Sequence, residues 1–236
     1  MSHLSEHTAA SLLGYATAAD PAQPVLTWYD DAIGERVEVS GLTLANWVSK
    51  TANLLVDGCG LGPGDTATVA LPPHWQTAAV LLGCWTAGLS VDPAGDVIFA
   101  AAPVESVSPD RFLLGLAPMG LPIRGVVPAG WLDYVAEVRG HGDHFAGPAV
   151  RPDQPALAGE THAALVGRAA GRAGELGIPS GGRVLVDAGR HADPVDWLLA
   201  PLTAGASIVL CKDLDRTARE SRAAAERAVA LGPSRG

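Results

Sequence analysis

Two histidines stand at matching places in this 236-residue chain. His74 follows the strand-like run Thr66–Leu71 and a Pro72-Pro73 break, and His191 follows the strand-like run Arg183–Asp187. Each precedes an apolar stretch long enough for a helix. Ligands of open α/β sheets gather beyond the carboxyl ends of strands, so a histidine there can face a ligand or simply turn the chain into the helix. Asp193-Pro194 has the form of a helix N-cap followed by proline, with Asp196 in the first turn. This pair reads as helix-dipole charge, with a metal or acid/base carboxylate pair as the alternative. His141-Gly142-Asp143-His144 has metal-ligating residue types but lies in a Gly-rich stretch and reads as a solvated loop. Gly60, Gly62 and Gly64 precede a strand, whereas the glycines of a dinucleotide fingerprint come after one. Cys59, Cys84 and Cys211 lack metal spacing and read as buried, reduced thiols of a cytoplasmic protein. The two lysines, Lys50 and Lys212, fall in no recognisable motif. The residues therefore predict no catalytic group, no cofactor-binding set and no metal site.

The elements that would position these residues come in two copies. Residues 60–93 read as a Gly/Pro turn, a strand, a break, an apolar helix from His74 to Ala87 and a short strand Leu89–Val91. Residues 177–210 repeat the pattern at an offset of 117, which places Gly60 on Gly177, Gly64 on Gly181, His74 on His191 and Thr86-Ala87-Gly88 on Thr203-Ala204-Gly205. Strand–helix–strand at this spacing is a βαβ unit with parallel strands. Upstream, residues 4–19 predict a short helix marked by Leu4, Leu12, Leu13 and Tyr15. Val25–Tyr29 and Arg36–Val39 predict a hairpin, and Thr43 is the expected N-cap of a helix carrying Leu44, Trp47, Val48 and Leu55. Val97–Ala101 and Phe112–Leu116 are strand candidates, and Trp131–Val138 a helix. The loop 140–153 is the expected boundary between halves 1–150 and 151–236. Residues 160–175 predict a helix, and 213–229 a charged helix whose Arg216, Arg219, Arg222 and Arg227 form a solvated face with Glu220 and Glu226. The final six residues read as a frayed tail. Trp75, Trp85 and Trp197 read as core, with Trp85 also able to face a partner.

The chain is 48% hydrophobic and 17% charged, with a formal net charge of −9 and no basic cluster. This argues against nucleic acid or an anionic membrane as partner. No basic segment leads an apolar core at the N-terminus, so no signal peptide is expected, and the longest apolar run is too short to cross a bilayer.

The helix before residue 60, the Gly62-Pro63-Gly64-Asp65 turn, Val69–Leu71, the Pro72–Trp75 break and the helix ending at Ala87-Gly88 together resemble the first subdomain of the adenylate-forming (acyl-CoA synthetase, AMP-binding) superfamily. Leu198-Leu199-Ala200-Pro201-Leu202 through Ala206 resembles its second. The resemblance implies an α/β fold of two pseudo-symmetric βαβ-containing halves. It also marks His191 as the residue to expect in a ligand pocket. That family binds ATP phosphates on a Ser/Thr/Gly-rich loop ending in lysine. Here the corresponding residues 155–162 hold one glycine, no lysine and Glu160, while Thr161-His162 resembles the Thr-His found shortly after that loop in the family. The chain also ends short of the family's adenine, magnesium and C-terminal lysine motifs. The expectation is a non-catalytic, cytoplasmic scaffold that binds a partner, itself or another chain, and uses no cofactor. Binding of a small acyl or CoA-type ligand near His191 without ATP, and ligase activity completed by another subunit, are the alternatives.

Overall fold

The structure is a computed structural model that describes residues 6–117, 120–215 and 217–232. A 3-10 turn over Ala9–Ser11, capped by the Thr8 side chain, leads into α1 (Leu12–Thr17). Leu4 of the expected first helix lies outside the described residues. β1 (Pro24–Asp30) and β2 (Glu35–Ser40) pair antiparallel, as the spacing predicts. α2 (Gly41–Asn53) starts earlier than expected, because Ser40 rather than Thr43 is the cap. Its hydroxyl accepts the Thr43 N–H at 3.1 Å and satisfies one of the free donors of the first turn. A π-helical turn, Leu54–Gly58, closes α2. Next come β3 (Thr66–Ala70), α3 (Trp75–Thr86), β4 (Ser90–Val91), β5 (Val97–Ala100) and β6 (Asp110–Leu113).

Trp131–Val138 divides into β7 (Leu132–Asp133) and α4 (Tyr134–Val138), because the Asp133 carboxylate caps the N–H groups of Val135 and Ala136. Then come β8 (Pro155–Leu157), β9 (Glu160–Thr161), α5 (His162–Glu175) and β10 (Arg183–Asp187). A π-helical turn Val195–Leu199 runs into α6 (Ala200–Thr203), then β11 (Ser207–Lys212), α7 (Arg219–Ala225) and β12 (Val229–Ala230).

Two sheets result, with strand orders β7-β6-β5-β3-β4-β8-β9 and β12-β10-β11-β1-β2. Among the described residues only the hairpins β1/β2 and β8/β9 are antiparallel. β10 occupies residues 117 positions after those of β3, and each pairs in parallel with the strand after its helix. The expected boundary at residue 150 does not separate the sheets. β1 from the first half adds to β11, and β8 from the second adds to β4. The burial of β1 explains its place. Val25 through Trp28 are all buried, so the strand needs a neighbour on both edges and cover on both faces. β2 alternates exposed and covered residues and forms the edge.

One apolar cluster joins the halves, with Leu26, Leu82, Trp85, Leu165 and Leu198 among its members. α3 is buried from Trp75 to Trp85. It meets α2 closely at Gly83, where a Cβ would fall 2.5 Å from that of Thr51. Trp85 is fully buried and donates its indole N–H to the Ala156 carbonyl at 2.8 Å. The partner-facing reading of Trp85 is thereby corrected: the ring is core, and its polar atom ties α3 to β8.

The expected long helix over 213–229 is also corrected. α7 covers seven residues, Arg227 adopts a left-handed φ of 51°, and the chain then enters β12 beside β10. The charged face is solvated only in part: Glu220 and Arg227 are exposed, whereas Arg222 and Glu226 are drawn onto the sheet. Arg222 lies over the Tyr29 ring at 4.3 Å and pairs with Asp31 at 2.5 Å. Glu226 meets Tyr29 Oη at 2.5 Å, Arg183 at 2.8 Å and Arg36 at 3.1 Å. Arg216 lies outside the described residues. Leu231, expected in a frayed tail, is 4% exposed and donates its N–H to the Leu185 carbonyl.

Burial alone would raise the Glu226 carboxyl, but hydrogen bonds from Tyr29, Arg183 and Arg36 outweigh it and hold it down to about 2. A depressed carboxyl stabilises the fold above its ordinary value near 4.5, and that stability is lost as pH falls toward 2. Unfolding free energies from urea titrations at pH 5 and 2.5 should therefore fall by about 1–2 kcal/mol more in the parent than in Glu226→Gln. Parallel curves would show that the network is not linked to protonation.

Candidate functional site

The two matched histidines lie at the N-termini of helices, as their neighbours in the sequence require, but their surroundings differ. His74 caps α3: its Nδ1 accepts the Gln76 N–H at 3.1 Å, so the proton sits on Nε2. Its ring meets the Trp28 edge at 4.5 Å, and Nε2 has no hydrogen-bond partner among the described residues. Burial lowers this imidazole to about 3, with Lys212 adding to the effect and Asp30 opposing it. His74 is therefore neutral near pH 7 and serves as a cap within the core.

His191 is 2% exposed. Nδ1 faces Asp196 Oδ2 at 3.2 Å, and Nε2 faces the Gly232 carbonyl at 3.0 Å. Asp196 in turn accepts from Arg172, Nε to Oδ1 at 2.6 Å and Nη2 to Oδ2 at 3.0 Å. The Arg172 hydrogen bond holds the Asp196 carboxyl below its usual range, against burial and with help from His191. Asp196 is thus the centre of an Arg172–Asp196–His191 chain. Asp193 keeps the expected capping role, accepting the Val195 N–H at 2.8 Å. A charge at a helix start announces itself by spacing. That a guanidinium from α5 would reach it, from 24 residues away, does not.

Two shallow clefts flank this chain of contacts. One, of about 530 Å³, is lined by the Ala and Gly face of α5 with Thr203 and Ala204. The other, of about 500 Å³, lies beside Arg168, Arg172 and Asp193. His191 borders neither, and both its ring nitrogens already have partners.

The stretch expected to correspond to a phosphate loop is a β-hairpin. β8 and β9 are joined by Ala158-Gly159, both left-handed with φ of 48° and 81°. Two consecutive left-handed residues make the tight hairpin turn whose twist matches its strands. β9 runs directly into Thr161, the side-chain cap of α5. Glu160 pairs with Arg168 at 2.8 Å. Neither lysine approaches this turn by hydrogen bond: Lys50 Nζ donates to the His141 carbonyl at 2.5 Å, and Lys212 Nζ pairs with Asp30 at 2.8 Å. Asn53 also donates to the carbonyls of Gly142 and His144. The 141–144 loop is held on α2 through its backbone carbonyls, while Gly142, Asp143 and His144 stay exposed, in keeping with its reading as a solvated loop. Among the described residues no group of three or more His, Cys, Asp or Glu side chains is placed to hold a metal ion. Burial pushes the Cys59 thiol up to about 12 and Cys211 to about 11. No helix is long and apolar enough to cross a membrane among the described residues.

No family model matches the chain. A "TIGR03089 family protein" of Mycobacterium tuberculosis is 41% identical over 225 residues, covering 89% of this chain and 91% of that one. Among solved structures, an acyl-CoA synthetase of Brucella canis superposes with a TM-score of 0.68 at 17% identity, over 94% of this chain and 46% of its own. The anthranilate CoA ligase AuaEII, in complex with anthranoyl-AMP, gives 0.68 at 12%, over 94% and 48%. The acetoacetyl-CoA synthetase of Streptomyces lividans gives 0.66 at 16%, over 88% and 39%. The chain spans about half the length of these synthetases or less. At such identities the likeness is one of fold, and the α/β fold is that of part of an acyl-CoA synthetase.

Proposed function

We propose that this chain, which belongs to the TIGR03089 family, is a non-catalytic scaffold built on part of an acyl-CoA synthetase fold, a binding or partner protein that does not adenylate by itself. The observation that carries this reading is the two-residue turn Ala158-Gly159. A phosphate cradle needs several converging N–H groups and a cation. The hairpin turn spends its backbone on strand pairing, and the nearest charged side chain in sequence is the acidic Glu160. Arg168 beside it is already engaged by that carboxylate. The βαβ units at β3–β4 and β10–β11 are, on this reading, copies of one unit kept for the scaffold they form. The enclosure of His191 by Asp196 and Gly232 weighs against an acyl or CoA-type ligand at that residue.

ATP-dependent pyrophosphate exchange by the purified chain should stay at the blank rate across a panel of carboxylic acids. ATP with magnesium at about 5 mM should shift the melting temperature by less than about 1 °C, since only ligands that bind the folded state raise it. A saturable shift with ATP would overturn the proposal. A shift with acyl-CoA or fatty acid alone would favour ligand binding without adenylation. Exchange that appears only when a second subunit is added would favour a completed ligase.

A further inference from the structure

A cleft beside the starts of β3 and β4 has a counterpart in the second sheet that is already filled. Thr66 of β3 is in register with Ser90 of β4, and Arg183 of β10 is in register with Ser207 of β11. These are equivalent pairs, 117 residues apart, and register partners in a parallel ladder present their side chains on one face. In the second sheet the Arg183 guanidinium lies across that face. Nη1 donates to Ser207 Oγ at 3.2 Å, and Nη2 donates to Thr27 Oγ1 at 2.7 Å and to Glu226 at 2.8 Å.

In the first sheet a threonine takes the place of the arginine. Its hydroxyl turns aside to Asp96 at 2.9 Å, and a cleft of about 360 Å³ remains. Ser90 lines it. The residue is 6% exposed, and Oγ has no hydrogen-bond partner among the described residues. Asp92 lines it two residues further on, and no described side chain donates to its carboxylate. Gln154 adds an amide, and Pro63 and Pro155 supply apolar walls.

We propose that this cleft binds a guanidinium group carried on a short aliphatic stem, the free-ligand equivalent of the Arg183 side chain. Ser90 Oγ would take the hydrogen bond that Ser207 takes in the second sheet, and Asp92 would supply the negative charge that Glu226 supplies there. A planar guanidinium suits a hydroxyl and a carboxylate offered together, because its donors are fixed in a fork. The donor set does not suit a metal ion, since Asp92 is the one carboxylate among the described lining residues. The site does not depend on whether the protein adenylates.

Agmatine is the probe. Titrated into the full chain at physiological salt, it should move the amide signals of Ser90 and Asp92 saturably, with a dissociation constant of about 1 mM. Asp92→Asn should weaken binding by about tenfold or more. Thr66→Arg should place a tethered guanidinium in the cleft, abolish agmatine binding and raise the melting temperature by about 2–4 °C. Absence of saturable shifts up to about 20 mM, unchanged affinity in Asp92→Asn, or equal affinity for cadaverine, which carries ammonium groups instead, would each overturn the proposal. Because Asp92→Asn keeps the shape of the side chain, the test does not hang on the folding of Thr66→Arg.

Discussion

Asp196→Ala is expected to lower the unfolding free energy by about 2–4 kcal/mol, because it removes the buried partner of a part-buried ion pair. The substitution strips the Arg172 guanidinium of a two-point acceptor and leaves Nδ1 of His191 facing a void. It also loosens the link from His191 to Gly232, and so the anchoring of the chain beyond β12. Urea unfolding at pH 7 measures the loss. A companion variant separates the pair from its desolvation: Arg172→Met with Asp196→Leu removes both charges and should cost less than Asp196→Ala alone. The same carboxylate predicts an acid limb. Its depressed titration adds stability above its ordinary value near 3.8, which disappears as pH falls below it. A loss under about 1 kcal/mol for Asp196→Ala would mean the chain of contacts is peripheral to stability.

Trp85→Ala should be comparably severe, at about 3–5 kcal/mol. Two terms add. The indole is fully buried in the cluster joining the halves, and α3 is covered on all sides, so the cavity has little means of collapse. The Ala156 carbonyl on β8 also loses its indole donor. Trp85→Phe isolates that second term, since the ring volume is largely kept, and should fall between the parent and the alanine variant. Equilibrium unfolding ranks the three. If Trp85→Ala unfolds with an unchanged midpoint, α3 is not the centre of the core.

What could be read from the sequence tracked the range of the forces involved. The βαβ units were legible because their signals are local. Apolar runs give strands, Pro72-Pro73 and Gly88 punctuate them, and Thr86-Ala87-Gly88 reappears as Thr203-Ala204-Gly205. The cap of α2 lies three residues from its expected place because Ser40 and Thr43 are both good caps, and the choice between them depends on where the β2 backbone stops being extended. β12 escapes a sequence reading because two residues carry no periodicity; pairing with β10 makes them a strand. The exchange of hairpins escapes it too, although a signal exists. Val25, Leu26 and Trp28 put apolar side chains on both faces, which a two-stranded hairpin cannot bury. At the candidate site the position of His191 was legible, but its surroundings were not. Arg172 looks like a charge on a polar helix face, and nothing local to 191–196 reveals that it folds over the carboxylate. The expectation for residues 155–162 rested on what residue types a phosphate loop requires, and the geometry found there is a hairpin.

The crossed hairpins also bear on how the chain is made. β1 is made well before the strand on its other edge, β11; their terminal residues Asp30 and Lys212 are 182 positions apart. At typical rates of synthesis the ribosome needs roughly ten to forty seconds to cover that distance. During that interval β1 is an apolar strand with one unpaired edge, open to pairing with another nascent copy. The hairpin of β1 and β2 therefore has no finished state of its own on the ribosome, and its sheet forms only after β11 has emerged.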